Sequence, residues 1–475
     1  MEESNLIFTL SGIRGRIEKD FKYDVVKKIA IAFGLLVNGK DKKVVLGRDT
    51  RPSGIYIEQA IIEGLILSGF EIINLGICPT PVIIHAKNKL NIPFGIIITG
   101  SHNPQEWNGL KLISETTFLN SDDLEIISIY IENINLNDYR KIHSGSELHV
   151  KNWNPVKEYI NDLMDYIDIR NIRKKNKLRV VIDTGAGAGN YVTPIVLNEL
   201  GCEIRLINNE LLVNNDFPRE VEPIKENLRD LIMEVWQGKY DIGFAHDTDA
   251  DRLAVIGDNG ECYPEDIGLA LITDYYLKNV EDVNKQVYFV TNLASSLRFE
   301  AIAEKYNAQV IRTPVGERFL TEKMNALISD SSKNRLVFGG EGSCGGIMFP
   351  YFNNTRDGIF AAAKIIEIMI KTGKNISQLV SELPKYYSHR IKISTKNIDT
   401  ISLISKVKEE LIKEGEIVEQ IENDLRFGQR KDWFVLIHPS NTEPIIRIIS
   451  EAKRDSLARV YCEATAELVK LAISS

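Results

Sequence analysis

The segment FAHDTDADRLAVIGD at 244–258 holds the clearest chemical pattern in the sequence. It places Asp247, Asp249 and Asp251 at alternate positions directly after the apolar run YDIGFA. This spacing predicts three carboxylates on one side of an extended segment. Like charges this close repel one another unless a cation lies among them, and carboxylate oxygens suit Mg²⁺.

The same segment has two features in common with other acidic motifs, a calcium EF-hand and an acidic surface turn. A calcium EF-hand is excluded, because its sixth position requires glycine and is Arg252 here, and its twelfth is Asp258 rather than Glu. An acidic surface turn that binds no ion is the structural alternative.

A second loop, ITGSHNPQEWNGLK at 98–111, follows the strand-like run FGIII and contains Ser101. A serine at the carboxyl end of a strand lies where open α/β sheets place reactive groups. His102 and Lys111 could move a proton or stabilise a phosphoryl group. The hydrolase elbow G-x-S-x-G is absent, because Thr and Asn stand two residues before and after the serine. A hydroxyl turn or a helix cap is the alternative.

A third loop, FGGEGSCGGIMFP at 338–350, supplies Glu341 and Ser343 among glycines. Glycine lets a backbone approach a ligand closely, and a carboxylate with a hydroxyl can hydrogen-bond sugar hydroxyls. A tight turn without a ligand is an equal alternative.

A fourth loop, IHPSNTEPIIR at 437–447, is rich in short hydroxyl and amide side chains. With exposed backbone N–H groups these can form an anion-binding nest, and an arginine adds a bidentate fork for phosphate. The candidate phosphate ligands are Ser440, Asn441, Thr442 and Arg447. Ordinary turn chemistry explains the same residues without a ligand.

Composition narrows the class of protein. The chain has 475 residues, 44% of them hydrophobic and 26% charged, which indicates a globular fold of about three to four domains. A net charge of −8 disfavours a nucleic-acid partner. Five cysteines without a CxxC pair predict neither a disulfide framework nor a zinc site. We expect a cytoplasmic protein with no export signal and no membrane insertion.

The elements that must position these loops repeat along the chain. Apolar run, turn, amphipathic helix and second apolar run occur in this order at 43–76, 178–208 and 286–316, which predicts three βαβ units. After Lys385 the pattern changes to strands and helices of an α+β type. The predicted fold is α/β: three similar mixed α/β domains followed by a smaller α+β C-terminal domain, around a central cleft. The predicted domains are 1–155, 156–262, 263–384 and 385–475.

Taken together, the four loops in this order resemble those of the α-D-phosphohexomutases, the phosphoglucomutase, phosphomannomutase and phosphoglucosamine mutase enzymes. The resemblance covers some 430 residues, and the Gly-rich third loop is most similar to archaeal members. His438 stands where the phosphate loop of the family usually has Arg, and Gly345 stands where several bacterial members have His.

The resemblance implies roles for individual residues. Ser101 would carry the phosphoryl group and, with the three aspartates, bind Mg²⁺. Lys111 or His102 would act as general acid or base. The remaining residues implied are Arg14 of SGIRG and Arg252 at the reaction centre, Arg318 of TPVGERF, Glu341 and Ser343 at the sugar, and Ser440, Asn441, Thr442 and Arg447 at the phosphate. The motif GRDTRPSG at 47–54 is also similar to the family.

The function that the resemblance implies is interconversion of hexose 6-phosphate and hexose 1-phosphate through a phosphoserine and a 1,6-bisphosphate. Mg²⁺ is the expected cofactor, a glucose 1,6-bisphosphate-type activator is compatible with the scheme, and the expected partner is a hexose phosphate. A homo-oligomer stays open. The alternatives are a magnesium-dependent sugar-phosphate phosphatase and a non-catalytic paralogue that binds sugar phosphates.

Overall fold

The computed structural model describes residues 6–9, 12–142, 150–174, 177–280, 282, 285–330, 334–342, 345–396, 398–429, 431–440 and 444–474. Two compact units divide the chain. The first is Met1–Gly268 with Cys344–Leu379, and the second is Leu269–Ser343 with Val380–Ser475. None of the helices in the described ranges is long and apolar enough to cross a membrane.

The first unit begins with a seven-stranded mixed sheet and its helices. The elements are β1 (Ile7–Thr9), β2 (Gly12–Arg16), α1 (Tyr23–Leu36), β3 (Lys43–Arg48), α2 (Gly54–Leu67), β4 (Glu71–Ile77), α3 (Thr80–Lys89), β5 (Phe94–Ile98), β6 (Trp107–Ile113), α4 (Ser121–Asn133), α5 (Leu136–Ile142) and β7 (Val150–Asn152). The strand order is β1-β2-β6-β5-β3-β4-β7. All five residues of β5 are buried, so its carboxyl end delivers the following loop from the middle of the sheet.

A four-stranded sheet follows in the same unit. Its elements are α6 (Val156–Met164), α7 (Ile169–Arg173), β8 (Arg179–Asp183), α8 (Thr193–Glu199), β9 (Glu203–Ile207), α9 (Arg229–Gly238), β10 (Ile242–Ala245) and β11 (Ala254–Gly257), in strand order β11-β10-β8-β9. The buried strands β10 and β11 pair antiparallel, and the aspartate segment connects them.

The next elements are α10 (Asp266–Lys278), β12 (Gln286–Asn292), α11 (Arg298–Lys305), β13 (Gln309–Thr313), α12 (Glu317–Ser329), β14 (Arg335–Glu341), β15 (Gly346–Phe349), β16 (Asn353–Asp357), α13 (Gly358–Thr372) and α14 (Ile376–Ser381). In the second unit β13, β12 and β14 pair in parallel. In the first unit β15 and β16 form an antiparallel pair that leads into α13, which Asp357 caps by accepting a hydrogen bond from the Phe360 amide.

The last elements are β17 (Tyr387–Ser394), α15 (Thr400–Lys413), β18 (Glu419–Ile421), β19 (Asp424–Gln429), β20 (Trp433–Pro439), β21 (Ile445–Ala452) and α16 (Asp455–Ser474). Their antiparallel sheet has the order β17-β21-β20-β19-β18. Apolar side chains on one face of this sheet pack against α15 and α16, as in an α+β fold.

The structure confirms the predicted α/β class and the three βαβ units, which are β3-α2-β4, β8-α8-β9 and β12-α11-β13, each with parallel strands. The predicted elements of the C-terminal segment are also present. The sequence interpretation missed the hairpin of β18 and β19. The four domain boundaries stay a prediction, because the compact units combine segments of more than one of them.

Candidate active site

Ser101 lies just beyond β5 in a strained and buried position. Its φ of 49° is left-handed, which costs a residue with a side chain about 1–2 kcal/mol. The surrounding hydrogen bonds hold it there: its amide donates to Thr99 Oγ1 at 2.8 Å, and its carbonyl accepts from Thr248 Oγ1 at 2.8 Å. The hydroxyl is thereby aimed at Asp247, with 3.1 Å between Ser101 Oγ and Asp247 Oδ2.

Arg51 is the main support of the Ser101 loop. Its side chain is fully buried, and its guanidinium donates to the Asp49 carboxylate and to the carbonyls of Ser101, Asn103, Pro104 and Trp107. A Cβ on Gly100 would lie 2.6 Å from this guanidinium, so only glycine fits there. The sequence interpretation noted the motif that contains Arg51 but gave this residue no role.

The aspartate segment brings three carboxylates together by a turn rather than by an extended strand. Residues 248–250 form the turn, and Ala250 has a left-handed φ of 54°. One oxygen from each of Asp247, Asp249 and Asp251 lies within 4.8 Å of the others, and all three side chains are buried. The predicted clustering is therefore present, but the predicted extended geometry is wrong, because alternate residues of this turn converge on one point.

The carboxylates have the properties of a cation site. Among the described residues, Asp249 Oδ1 and Asp251 Oδ1 are buried without a hydrogen-bond partner. Burial, together with the charges of Asp249 and Asp251, raises the pKa of Asp247 well above its usual range. A divalent cation would satisfy the two oxygens and remove the penalty on the third charge, so the donor set fits Mg²⁺.

Basic side chains surround the carboxylates. Lys111, on β6, donates from Nζ to Asp249 Oδ2 at 2.7 Å and to Asp251 Oδ2 at 3.0 Å. Arg14, on β2, donates to Asn103 Oδ1 at 2.7 Å. Burial, followed by the charge of the nearby Arg252, lowers the pKa of Arg14 to about 10.

His102 and Arg252 form a direct contact. Arg252 Nη2 donates to His102 Nδ1 at 2.8 Å, and Arg252 Nη1 donates to Glu222 at 3.1 Å. Burial, followed by the charges of Arg252 and Arg14, lowers the pKa of His102 well below its usual range. The imidazole is therefore neutral, with its proton on Nε2 and its Nδ1 lone pair engaged by the guanidinium.

Two polar residues at the carboxylates were not identified from the sequence. Arg356, at the end of β16, donates from Nη2 to Asp251 Oδ2 at 2.7 Å, and Thr80, at the start of α3, donates to Asp249 Oδ2 at 2.6 Å. Burial alone would raise the pKa of Asp251, but Arg356 and Lys111 hold it below the usual range. Neither residue belongs to a motif with a recognisable spacing, so only the tertiary structure reveals them.

The other predicted site residues belong to the second unit. Glu341 ends β14 and is buried, and it accepts a hydrogen bond from Asn292 Nδ2 at 2.9 Å. Arg318, on α12, pairs with Glu322 one turn later at 2.7 Å. Ser440 follows β20, and Arg447 lies on β21. Ser343, Asn441 and Thr442 lie outside the described residues.

Comparison with known proteins identifies the family of this chain. Models of phosphoglucomutase/phosphomannomutase α/β/α domains I, II and III match residues 5–137, 157–260 and 264–387, respectively. A phosphoglucomutase/phosphomannomutase of Thermococcus kodakarensis is 35% identical, with 98% of this chain and 99% of the relative covered. A "Probable phosphoglucosamine mutase" of Pyrococcus horikoshii is 34% identical, with 98% of each chain covered.

A solved structure shares the fold. It is that of a phosphoglucomutase/phosphomannomutase family protein from Burkholderia thailandensis, with a TM-score of 0.81, 24% identity, and 98% of this chain and 97% of that chain covered. The family models, the two archaeal relatives and this fold agree with one another. The chain belongs to the phosphoglucomutase/phosphomannomutase family, whose members are phosphohexomutases.

Proposed function

We propose that this chain interconverts hexose 6-phosphates and hexose 1-phosphates through a phosphoryl group carried on Ser101. The observation that carries the proposal is the buried, left-handed Ser101, whose hydroxyl lies 3.1 Å from a carboxylate of the aspartate cluster. A strained residue that the surrounding structure holds in place is typical of a reacting group. Membership of the phosphohexomutase family supports the same activity.

The reaction balances as two transfers. In the first, the phosphorus–oxygen bond at Ser101 breaks and the phosphorus bonds to the free hydroxyl oxygen at C1 or C6 of the sugar. This gives a 1,6-bisphosphate and a serine hydroxyl, because the sugar hydroxyl loses one proton and the serine oxygen gains one. In the second, the bisphosphate returns its other phosphoryl group to Ser101, and that sugar oxygen regains a proton. A 1,6-bisphosphate supplied from outside would phosphorylate an unmodified Ser101, so it would act as an activator.

The residues around Ser101 have separate roles in this proposal. Arg14 and Arg252 stabilise the negative charge of the transferring phosphoryl group. Lys111 is the proposed acid and base. Its ion pairs with Asp249 and Asp251 favour the protonated form, which can donate to the departing serine oxygen, and the amine left by that donation can take the proton of the sugar hydroxyl. His102 is less suited to accept a proton from the sugar, because Arg252 occupies its Nδ1.

Mg²⁺ is the proposed cofactor, held by Asp247, Asp249, Asp251 and the oxygen on Ser101. When bound, it supplies positive charge that offsets the charge of the phosphoryl oxygens. The buried oxygens of Asp249 and Asp251 that lack partners among the described residues support this assignment.

The second unit supplies the proposed contacts to the rest of the substrate. Ser440, Asn441, Thr442 and Arg447 bind the phosphate that is not being transferred, while Arg318, Glu341 and Ser343 contact the sugar. The names of the archaeal relatives favour glucosamine, mannose or glucose as that sugar.

A coupled assay tests the activity directly. Three substrates are compared, each with Mg²⁺ and a trace of the matching 1,6-bisphosphate: glucosamine 6-phosphate, mannose 6-phosphate and glucose 6-phosphate. For each substrate, kcat/KM is measured from the rate at which the 1-phosphate forms. We expect at least one to be isomerised. Release of inorganic phosphate without an isomer would favour a phosphatase, and binding without turnover would favour the non-catalytic paralogue.

A further inference from the structure

The antiparallel sheet of the second unit has apolar contacts on both faces. One face packs against α15 and α16. On the other face, Phe434 and Leu436 of β20 cluster with Leu293 and Leu297, which precede α11. Beside this second cluster lies a cavity of about 880 Å³, with α11 and β13 on one side and β18, β19 and β20 on the other. Its volume is in the range of small-molecule sites.

The cavity is separate from the residues that the proposed function places at the substrate. Arg318, Glu341, Ser440 and Arg447 are the described members of that set in the second unit, and none of them lines it. All of its lining residues belong to the second unit. The proposed function therefore leaves this cavity without a role.

Arg426, on β19, lines the cavity as a cation without a counter-ion. Its Nε and Nη2 atoms are buried, and among the described residues no hydrogen-bond or ion-pair partner reaches its guanidinium. Its Cζ lies 4.4 Å from the ring centroid of Phe434. Burial, followed by the charge of Arg312, lowers the pKa of Arg426 to about 10, so the group is still charged near neutral pH. An unpaired buried charge is costly, which indicates that an anion is missing.

The carboxylates nearby do not supply this anion. Glu300 accepts from Arg312 Nε at 2.7 Å and from Arg312 Nη2 at 2.8 Å, so both of its oxygens are engaged. Glu419 stands opposite Arg426 in register on β18, but its side chain is exposed and, in the described part of the chain, forms no ion pair with Arg426. The guanidinium is therefore available to an anion from solution.

The charges around the cavity restrict the class of anion. Glu300, Glu304 and Glu419 all line it, and a phosphate dianion would be repelled by these carboxylates even though Glu300 and Glu304 are paired with basic side chains. A monoanion is sufficient to balance the single charge of Arg426. A carboxylate also matches the planar guanidinium, from which it can accept two parallel hydrogen bonds.

Apolar side chains restrict the rest of the ligand. Ala303 of α11, Ala308 and Val310 of β13 line the cavity on the side opposite β19. These side chains offer neither a donor nor an acceptor, so the part of a ligand that contacts them should be apolar.

We propose that this cavity binds a small apolar carboxylic acid, with its carboxylate on Arg426 and its apolar body against α11 and β13. The site does not depend on the proposed function and adds a second ligand to the chain. A molecule bound there would contact both sides of the cavity and should stabilise the second unit.

Three probes of similar size test the class of ligand on the full chain. Phenylacetate is an apolar monocarboxylate, phenylacetamide is its neutral counterpart, and phenyl phosphate is a dianion at about pH 8. Saturation-transfer NMR titrations measure their dissociation constants. We expect about 1 mM for phenylacetate, and binding at least about tenfold weaker for the other two. Equal binding of phenylacetamide or of phenyl phosphate would overturn the proposal.

A pair of arginine variants tests the proposed ligand. Arg426→Gln should weaken phenylacetate binding at least about tenfold. Its thermal midpoint without ligand should not fall, because the variant removes an unpaired buried charge. The matched control is Arg459→Gln on the exposed surface of α16, which should bind phenylacetate as the native chain does. Unchanged affinity in Arg426→Gln would overturn the proposal.

A third variant keeps the test independent of any unfolding caused by Arg426→Gln. Glu419→Gln changes an exposed side chain and removes a negative charge that stands opposite Arg426. Phenylacetate should therefore bind about threefold more tightly to this variant. Unchanged or weaker binding would contradict a carboxylate placed at Arg426.

Competition separates this site from the proposed substrate site. An excess of glucose 6-phosphate should leave phenylacetate bound, and displacement of the probe would overturn the proposal. If the chain isomerises none of the three hexose phosphates but binds phenylacetate through Arg426, the proposed function fails and this inference is supported.

Discussion

The Ser101 site and the strands that carry Arg447 both present polar groups at strand ends, but they differ in burial and in support. In the first unit, the aspartates and Lys111 are almost fully buried, and Arg51 holds the serine loop by donating to its backbone carbonyls. In the second unit, Arg447 and Ser440 are partly exposed, and regular strand pairing fixes their positions. The comparison indicates that the proposed chemistry depends on buried charges, whereas the proposed phosphate recognition depends on sheet register.

The largest expected effect comes from removing the support of the first site. Arg51→Met removes the buried ion pair to Asp49 and the guanidinium hydrogen bonds to four carbonyls, so the free energy of unfolding should fall by about 3–5 kcal/mol. Urea denaturation measures it. The control is Arg459→Met, an exposed arginine with only a weak ion pair to Asp455 at 3.8 Å, which should change stability by less than about 0.5 kcal/mol. Similar losses in both variants would contradict the role of Arg51.

A buried acid in the first unit should make stability depend on pH. Burial raises the pKa of Asp357 to about 6 from 3.8. Between these two pH values the folded chain binds more protons than the unfolded chain. The stability that protonated Asp357 contributes is therefore fully present below about pH 4 and is lost as the pH rises through 6. The loss amounts to about 3 kcal/mol. Urea denaturation at several pH values should show this fall in the native chain and not in Asp357→Asn. Parallel profiles would contradict it.

Magnesium should act on the first site through the carboxylates. Added Mg²⁺ at about a hundred times its dissociation constant should stabilise the chain by about 2.7 kcal/mol, because it binds only the folded aspartate cluster. The shift in thermal midpoint measures this effect. Asp249→Asn should abolish most of the shift, whereas Asp230→Asn, on α9, should retain it. An equal shift in both variants would place the cation elsewhere.

The smallest expected effect concerns the second unit. Asn292→Ala removes the hydrogen bond from its Nδ2 to the Glu341 carboxylate, so kcat/KM for the preferred hexose phosphate should fall about tenfold. Asn279→Ala, at the exposed end of α10, is the control and should leave kcat/KM unchanged. If Asn292→Ala also leaves kcat/KM unchanged, the hydrogen bond to Glu341 is not needed to position a sugar contact, which contradicts this prediction.

The spacing of apolar residues predicted the helices and strands that local sequence determines. The βαβ units appeared as alternating apolar runs and helices, and the position of Ser101 after β5 followed from the fully apolar run FGIII. The turn at 248–250 was missed, because aspartates at alternate positions indicate an extended segment. The chain turns there instead, with Ala250 in a left-handed conformation that the sequence does not reveal. The hairpin of β18 and β19 was missed because β18 has only three residues, none of them buried.

Residues that act through long-range contacts could not be predicted. Arg51 reaches Pro104 and Trp107 more than fifty residues away, and Arg356 reaches Asp251 across 105 residues. No spacing in the sequence encodes such pairs, because sheet pairing and chain reversal bring them together. The residue types at these positions are equally compatible with an exposed surface.

The central claim is that Ser101 carries the phosphoryl group during turnover. Mass spectrometry of the purified protein, incubated with a hexose 1,6-bisphosphate, should find phosphate on the peptide that contains Ser101, and Ser101→Ala should reduce mutase activity by at least about a thousandfold. The control Ser405→Ala, on the exposed face of α15, should retain full activity. An unmodified Ser101 together with full activity of Ser101→Ala would contradict the account.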